Sequence, residues 1–385
     1  MALMGTLVLV ACGSGPVPPP PPPVDGGYDL NDVSFLFPLP DWSGRDGLLS
    51  MMATGEQGAL LPKPFFDQVP KLLPDVPALT VYGALRVVSV RVDPCFPGST
   101  PPAAPICVKQ VRLVAQPLMQ EADAGVGALT TDDATVHLFY DLDDAQFATV
   151  REGLAALKGQ AGSATSGQPL DVHPVMKSQG LDGQYAQALK ALVLKIAGEK
   201  TLSRVAFMAL VTKDNRWTFG AFNRSNAVLV PDEIPRTKGK TVQGVVEGGQ
   251  GSTTRAGELV PTISGDDLIT LLETLELVSA DEGTLKRALE SALRIEHPAR
   301  SSPKTIDCGS CHVASRARTN AERVRKTVTT SWADAFNDSR FDLRRVDEAK
   351  EDPRALRAFG YFGKLSALSQ RTINESAAVA TELSK

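Results

Sequence analysis

The chain has 385 residues, 43% of them apolar, and a formal net charge of −4. That length and apolar share suffice for two packed domains, while so small a net charge provides no global field for nucleic acid. No apolar run reaches the roughly 18 residues that a bilayer-crossing helix needs.

Leu7-Val8-Leu9-Val10-Ala11-Cys12 is a short apolar run ending in a cysteine. Its last four residues, Leu9 to Cys12, resemble the lipobox of bacterial lipoproteins, where the peptide is cut before a cysteine that then carries lipid. The resemblance covers only the first dozen residues, and Met1 to Thr6 lack the Lys or Arg of a usual secretion signal. It implies a signal peptide over 1–11, lipidation of Cys12, export, and a lipid-anchored position in the cell envelope on the periplasmic or outer-membrane face. Pro18 to Pro23 is an unbroken proline run, which favours an extended polyproline II spacer. Residues 12–40 are therefore expected to be a tether.

Residues 41–262 are expected to form an α+β domain of unknown role, with a mixed or antiparallel β-sheet. Trp42, Phe65, Phe66, Leu72 and Leu73 punctuate long loops and short helices that pack on it. Leu79–Tyr82, Leu85–Val92, Val108–Val114 and Ala134–Tyr140 read as strands from their β-branched content and alternation. Arg86, Arg91, Lys109 and Arg112 would then line a solvated sheet face, and His137 would be an ordinary strand residue. Cys95 and Cys107 bracket a Pro- and Gly-rich loop and are paired here as a disulfide, which an exported chain retains. Asp143-Asp144 caps a helix to about Lys158, with Phe147, Val150, Leu154 and Leu157 on one face. A second helix covers about 182–198, and strands return over 203–213 and 216–223 with Asp214-Asn215 as the turn. Gly248-Gly249-Gln250-Gly251 lacks the lysine arrangement of a phosphate loop.

Residues 263–385 read as mostly helical. Asp266-Asp267 opens one helix, and Ser279-Ala280-Asp281-Glu282 has the form of a capping box. The helix behind it carries Leu285, Ala288, Leu289, Ala292 and Leu293 as a stripe and ends at His297-Pro298. Further helices are expected from Thr319–Glu322 to about Asn337, after Asp352-Pro353, and over Ser369–Leu383.

Between them lies Asp307-Cys308-Gly309-Ser310-Cys311-His312. Two thiols three positions apart followed at once by an imidazole is the pattern of c-type haem attachment. Each cysteine forms a thioether with one porphyrin vinyl group, and the histidine becomes the proximal iron ligand. This motif in a helical setting resembles a c-type cytochrome domain, which implies one haem c on Cys308 and Cys311 with His312 on the iron. A closed zinc site would need four ligands, and residues 313–385 hold no Cys or His. A redox dithiol is the remaining reading.

The sixth iron ligand is open. No methionine follows Met208, so a protein-derived ligand must come from upstream. His297 is nearest and is equally a helix-ending residue; Met176 and Met208 are weaker candidates, and an open position would admit a small ligand. Arg294 to Lys326 holds eight basic residues against three acidic ones. Arg316 and Arg318 stand closest after His312 to meet anionic haem propionates. The expected function is electron transfer with a redox partner protein in the envelope, rather than catalysis. The alternative is a binding, structural or sensor lipoprotein with a peripheral haem, and a peroxidase-like enzyme ranks below both.

Overall fold

The computed structural model describes residues 27–97, 106–120, 129–131, 134–211, 216–246, 275–325, 356 and 358–385. The lipobox with Cys12, the proline run, the Asp214-Asn215 turn, Gly248–Gly251, the helix opened by Asp266 and the helix start at Asp352-Pro353 lie outside them.

Short elements come first: α1 (Leu30–Val33), β1 (Ser34–Leu36), the hairpin β2 (Thr54–Gly55) and β3 (Gly58–Ala59), α2 (Lys63–Phe66) and α3 (Ala78–Ala84). The main strands and helices then alternate in blocks: β4 (Leu85–Pro97), β5 (Cys107–Gln120), β6 (Leu129–Thr131), β7 (Thr135–Leu142), α4 (Asp144–Ala161), α5 (Pro174–Gln179) and α6 (Gln184–Ile196). After them come β8 (Leu202–Val211), β9 (Arg216–Ser225), β10 (Val228–Pro231), β11 (Val242–Val246), α7 (Glu282–Glu296), α8 (Cys308–Val324), the hairpin β12 (Phe359–Phe362) and β13 (Leu365–Leu368), and α9 (Gln370–Leu383).

The chain is thus α+β, built on a nine-stranded sheet in the order β1-β4-β5-β7-β8-β9-β10, with β6 added to β5 and β11 to β9. Its strand pairs are antiparallel. The Cys95–Cys107 disulfide ties β4 to β5 at the end of the pair where the chain passes from one strand to the other.

Several expectations give way to tertiary context. Leu79–Tyr82 belongs to helix α3, where Val81 and Tyr82 are buried and Leu79 is exposed. The end of the expected tether is packed structure: Leu30 to Phe37 is buried, with β1 paired to β4. The cap of α7 is Asp281, whose carboxylate accepts from the Thr284 amide, rather than a box begun at Ser279. The helix expected from Thr319 begins at Cys308, so the CxxCH motif forms its first turn. The β12–β13 hairpin was not expected.

The sheet has two differently covered faces. On one, Leu113, Leu138, Tyr140, Val205 and Phe207 join α4 and α6 in the main apolar core. The Asp143 capping box and the expected apolar stripe of α4 are in place, because both follow from local spacing. The opposite face carries Arg86, Arg91 and Arg112, expected to meet solvent; instead they are 6%, 8% and 7% exposed. The C-terminal segment covers Arg91 and Arg112 through Glu375, while Arg86 pairs with Asp46 at 2.6 Å. Gln116 of β5 donates to the Tyr361 carbonyl and accepts from the Tyr361 amide, and Ser89 donates to Phe359 O. This approach is so close that a Cβ on Gly360 would sit 2.3 Å from Gln116 Oε1. Towards the other end, α7 and α8 share one apolar cluster with Met208, Trp217, Phe219 and Val245 of the sheet. The helical C-terminal segment therefore shares its core with the strands.

Charge is buried in this seam. Glu375 of α9 binds Arg91 at 2.6 Å, Arg371 at 2.8 Å and Arg112 at 3.5 Å, and Arg112 also binds Asp93 at 2.7 Å. Burial acts to raise the Glu375 pKa, but Arg371, Arg91 and Arg112 outweigh it and hold the carboxyl well below its usual range. A group depressed on folding stabilises the fold above its unfolded pKa, about 4.3 for Glu, and loses that contribution as pH falls further. Glu375→Gln, which removes the one carboxylate shared by three buried guanidinium groups, should therefore cost about 3–5 kcal/mol at pH 7. Urea titrations of both proteins at pH 7 and pH 3.5 will test this. The gap must narrow at the lower pH, and an equal gap at both would sink the assignment.

Candidate functional site

Cys308, Cys311 and His312 occupy one face of α8, because positions i, i+3 and i+4 fall together on a helix. The first turn is anchored from below. Asp307 is fully buried at the N-cap, where its Oδ2 accepts from the Ser310 amide at 3.0 Å and from Gln243 Nε2 at 2.7 Å. Gln243 of β11 returns its own carbonyl oxygen to the Gly309 amide at 2.8 Å. One amide side chain thus holds both the cap and the residue between the cysteines.

The two thiols are free and packed against the apolar cluster of the seam. Burial pushes Cys308 up to about 12 and Cys311 up to about 11. Thiol–disulfide exchange needs a thiolate, and reactive CxxC cysteines have lowered pKa values. This pair is tuned the other way, towards uncharged sulfur. The zinc reading fares no better in geometry: among the described residues no three His, Cys, Asp or Glu side chains gather as a metal site.

His312 is oriented. Its Nδ1 bonds the carbonyl of Leu356, and because a carbonyl only accepts, Nδ1 carries the proton. Nε2 is then the nitrogen with a lone pair. A carbonyl bonded to the ring nitrogen remote from the metal is the usual way a protein fixes a metal-binding imidazole. The ring packs against Phe219, centroids 4.7 Å apart, and stands nearly perpendicular to the ring of His137 at 6.4 Å.

The sheet floor under α8 can be read from the register, since residues directly opposite share a face. One row is Val114, His137, Ala206 and Ala221. The row on one side contains Thr135, Met208, Phe219 and Gln243. The row on the other is Arg91, Arg112, Phe139, Arg204 and Asn223. The floor is therefore apolar and low in the middle, basic at one end. Arg112 lies over Phe96 and Arg204 over Phe139, while Arg204 pairs with Asp232 at 3.0 Å. The Nε atoms of Arg91, Arg112 and Arg204 are buried without a hydrogen-bond acceptor. The charges of Arg204 and of Arg371 and Arg91 act on Cys308 and Cys311 respectively, which places this basic end beside the motif.

These features fit a haem. An apolar macrocycle with two carboxylates at one edge matches an apolar floor with a basic end, where ion-paired arginines keep Nε atoms without acceptors. The arginines expected for the carboxylates behave differently. Arg318 is 6% exposed, with its guanidinium engaged by Glu296 at 3.1 Å and Glu322 at 3.0 Å. Arg316 is half-buried on the same helix. His297 caps the C-terminal end of α7, 3% exposed, and its Nδ1 accepts from the Ala299 amide at 3.1 Å. Met176 is buried in α5, and Met208 is buried in the seam cluster. Sequence reasoning missed His137 and the sheet arginines, whose only signal was alternation along their strands.

Comparison with protein-family models, with curated proteins and with solved structures finds no match for this chain.

Gln243→Leu keeps the side-chain volume but leaves Asp307 and the Gly309 amide without their buried partner. It should cost about 1–3 kcal/mol, read as a lower urea midpoint at unchanged slope. A midpoint equal to that of the parent protein would remove Gln243 as the anchor of the motif.

Proposed function

We propose that this chain is a lipid-anchored envelope protein that carries one covalently attached haem c and passes electrons to or from a redox partner. The observation that carries the reading is the disposition of Cys308, Cys311 and His312. Two uncharged sulfurs and an imidazole with its Nδ1 already committed share one helix face. That leaves Nε2 as the nitrogen available to iron.

Haem, when bound, supplies a one-electron iron couple whose potential follows from axial ligands, burial and nearby charge. The residues here set those conditions. Cys308 and Cys311 supply the thioether sulfurs, and the Leu356 carbonyl raises the basicity of the His312 ring through its Nδ1 proton. Phe219, Met208 and the alanine row exclude water from the apolar side. Arg91, Arg112 and Arg204 would present positive charge to the haem carboxylates and favour reduced iron, an effect weakened as far as Asp93, Glu375 and Asp232 already balance that charge. The Cys95–Cys107 disulfide suits an oxidising compartment, where two adjacent free thiols would not persist unless tied up chemically. Export and anchoring through Cys12 rest on the lipobox resemblance, and among the described residues no helix is long and apolar enough to cross a membrane.

The test is expression in a host competent for cytochrome c maturation. The expected result is a sharp reduced-state visible spectrum and haem that stays with the protein on a denaturing gel. Cys308→Ser with Cys311→Ser should abolish the gel stain. A haem-free parent protein from a competent host would end the proposal. Separately, Cys12→Ala should move the protein from the membrane to the soluble envelope fraction, and unchanged membrane retention would contradict lipid anchoring there.

A further inference from the structure

The chain has four histidines. His173 is fully buried between the rings of Phe35 and Tyr185, with centroids 5.7 and 4.5 Å away, in the core on the helix-covered face of the sheet. His297 closes α7 through its bond from Ala299. His312 belongs to the motif. His137 remains, in the middle of β7, with its side chain on the sheet face that α8 covers.

Three observations set it apart. Its centroid lies 6.4 Å from that of His312. A metal–imidazole bond is about 2.0–2.1 Å, so two imidazoles on opposite sides of one ion place their centroids roughly 6 Å apart. The 82° between the ring planes is compatible with that arrangement, because each ring can rotate freely about its bond to the ion. Next, its neighbours in the register are Val114, Ala206 and Ala221. Within that row the imidazole is the largest side chain, and it is only partly buried. Lastly, it comes from a rigid central strand paired on both sides, by β5 and β8, and not from a loop. A ligand so mounted is held in place before the metal arrives.

We infer that His137 is the sixth ligand of the haem iron, opposite His312, making the site bis-histidine. This rests on the haem reading above and assigns the position for which His297 and Met208 were the sequence candidates. A consequence is a coordinatively closed iron, suited to electron transfer and closed to small ligands.

The experiment uses the full-length, haem-loaded protein. Haem stain on a denaturing gel reports attachment independently of the axial ligand. The parent protein should be low-spin and bind no carbon monoxide when reduced. His137→Ala should keep the stain, lose the low-spin bands and gain carbon monoxide binding; added imidazole should restore the parent spectrum. Should that variant accumulate poorly, His137→Met keeps a ligand in place and should introduce a sulfur-to-iron charge-transfer band that the parent lacks. His297→Ala should leave the parent spectrum unchanged. A low-spin spectrum that survives His137→Ala without imidazole, or its loss in His297→Ala alone, overturns the assignment while leaving covalent haem intact. Absence of stain in the parent protein fails the haem reading itself, and with it this inference.

Discussion

Glu375 holds the seam of this molecule together. An arginine on a buried strand face is costly unless its charge is met, and here Arg91 and Arg112 project from adjacent strands into a space closed by α9. One carboxylate from that helix answers both and is itself steadied by Arg371 one turn earlier. Arg371 also donates to the carbonyls of Ile295 and Ser301, so the same cluster fixes the loop that leads from α7 to the motif. Such a network contributes little net stability over an apolar seam. Its value lies in geometry: α9 has one seating in which every charge is answered, and α8 is positioned alongside it through Gln370, whose amide bonds Ser315.

The candidate site is consequently composite. α8 brings two sulfurs and one imidazole, β7 brings a second imidazole, β4, β5 and β8 bring guanidinium groups, and the segment at Leu356 brings the carbonyl that orients His312. None of these works from its own element. The sheet acts as the floor of the site and the C-terminal helices as its roof, with the apolar and basic regions separated by one row of the strand register.

Local patterns in the chain were read correctly where the physics is local. The cap at Asp143, the apolar stripes of α4 and α7, the closing helix over about Ser369–Leu383 and the strand character of β4, β5, β7, β8 and β9 all depend on residues within a few positions of each other. The misreadings share one cause. Leu79–Tyr82 has strand-like residues yet lies in a helix that enters β4, and the arginines of β4 and β5 look solvated until a distant segment covers them. Alternation specifies that two sets of side chains point opposite ways, without stating what each set will meet.

The sequence alone therefore determined the α+β character of the chain, the face shared by Cys308, Cys311 and His312, and the chemistry that such a face suits, because spacing on a helix converts directly into direction. Only the tertiary structure decided that the ring of His137 meets that of His312, that Leu356 orients the latter, and that Arg91, Arg112 and Arg204, ion-paired yet with buried Nε atoms left without acceptors, gather on one sheet face. Those relations join residues far apart in the chain. They depend on strand register and on which sheet face the C-terminal helices cover, and no short window of sequence carries either.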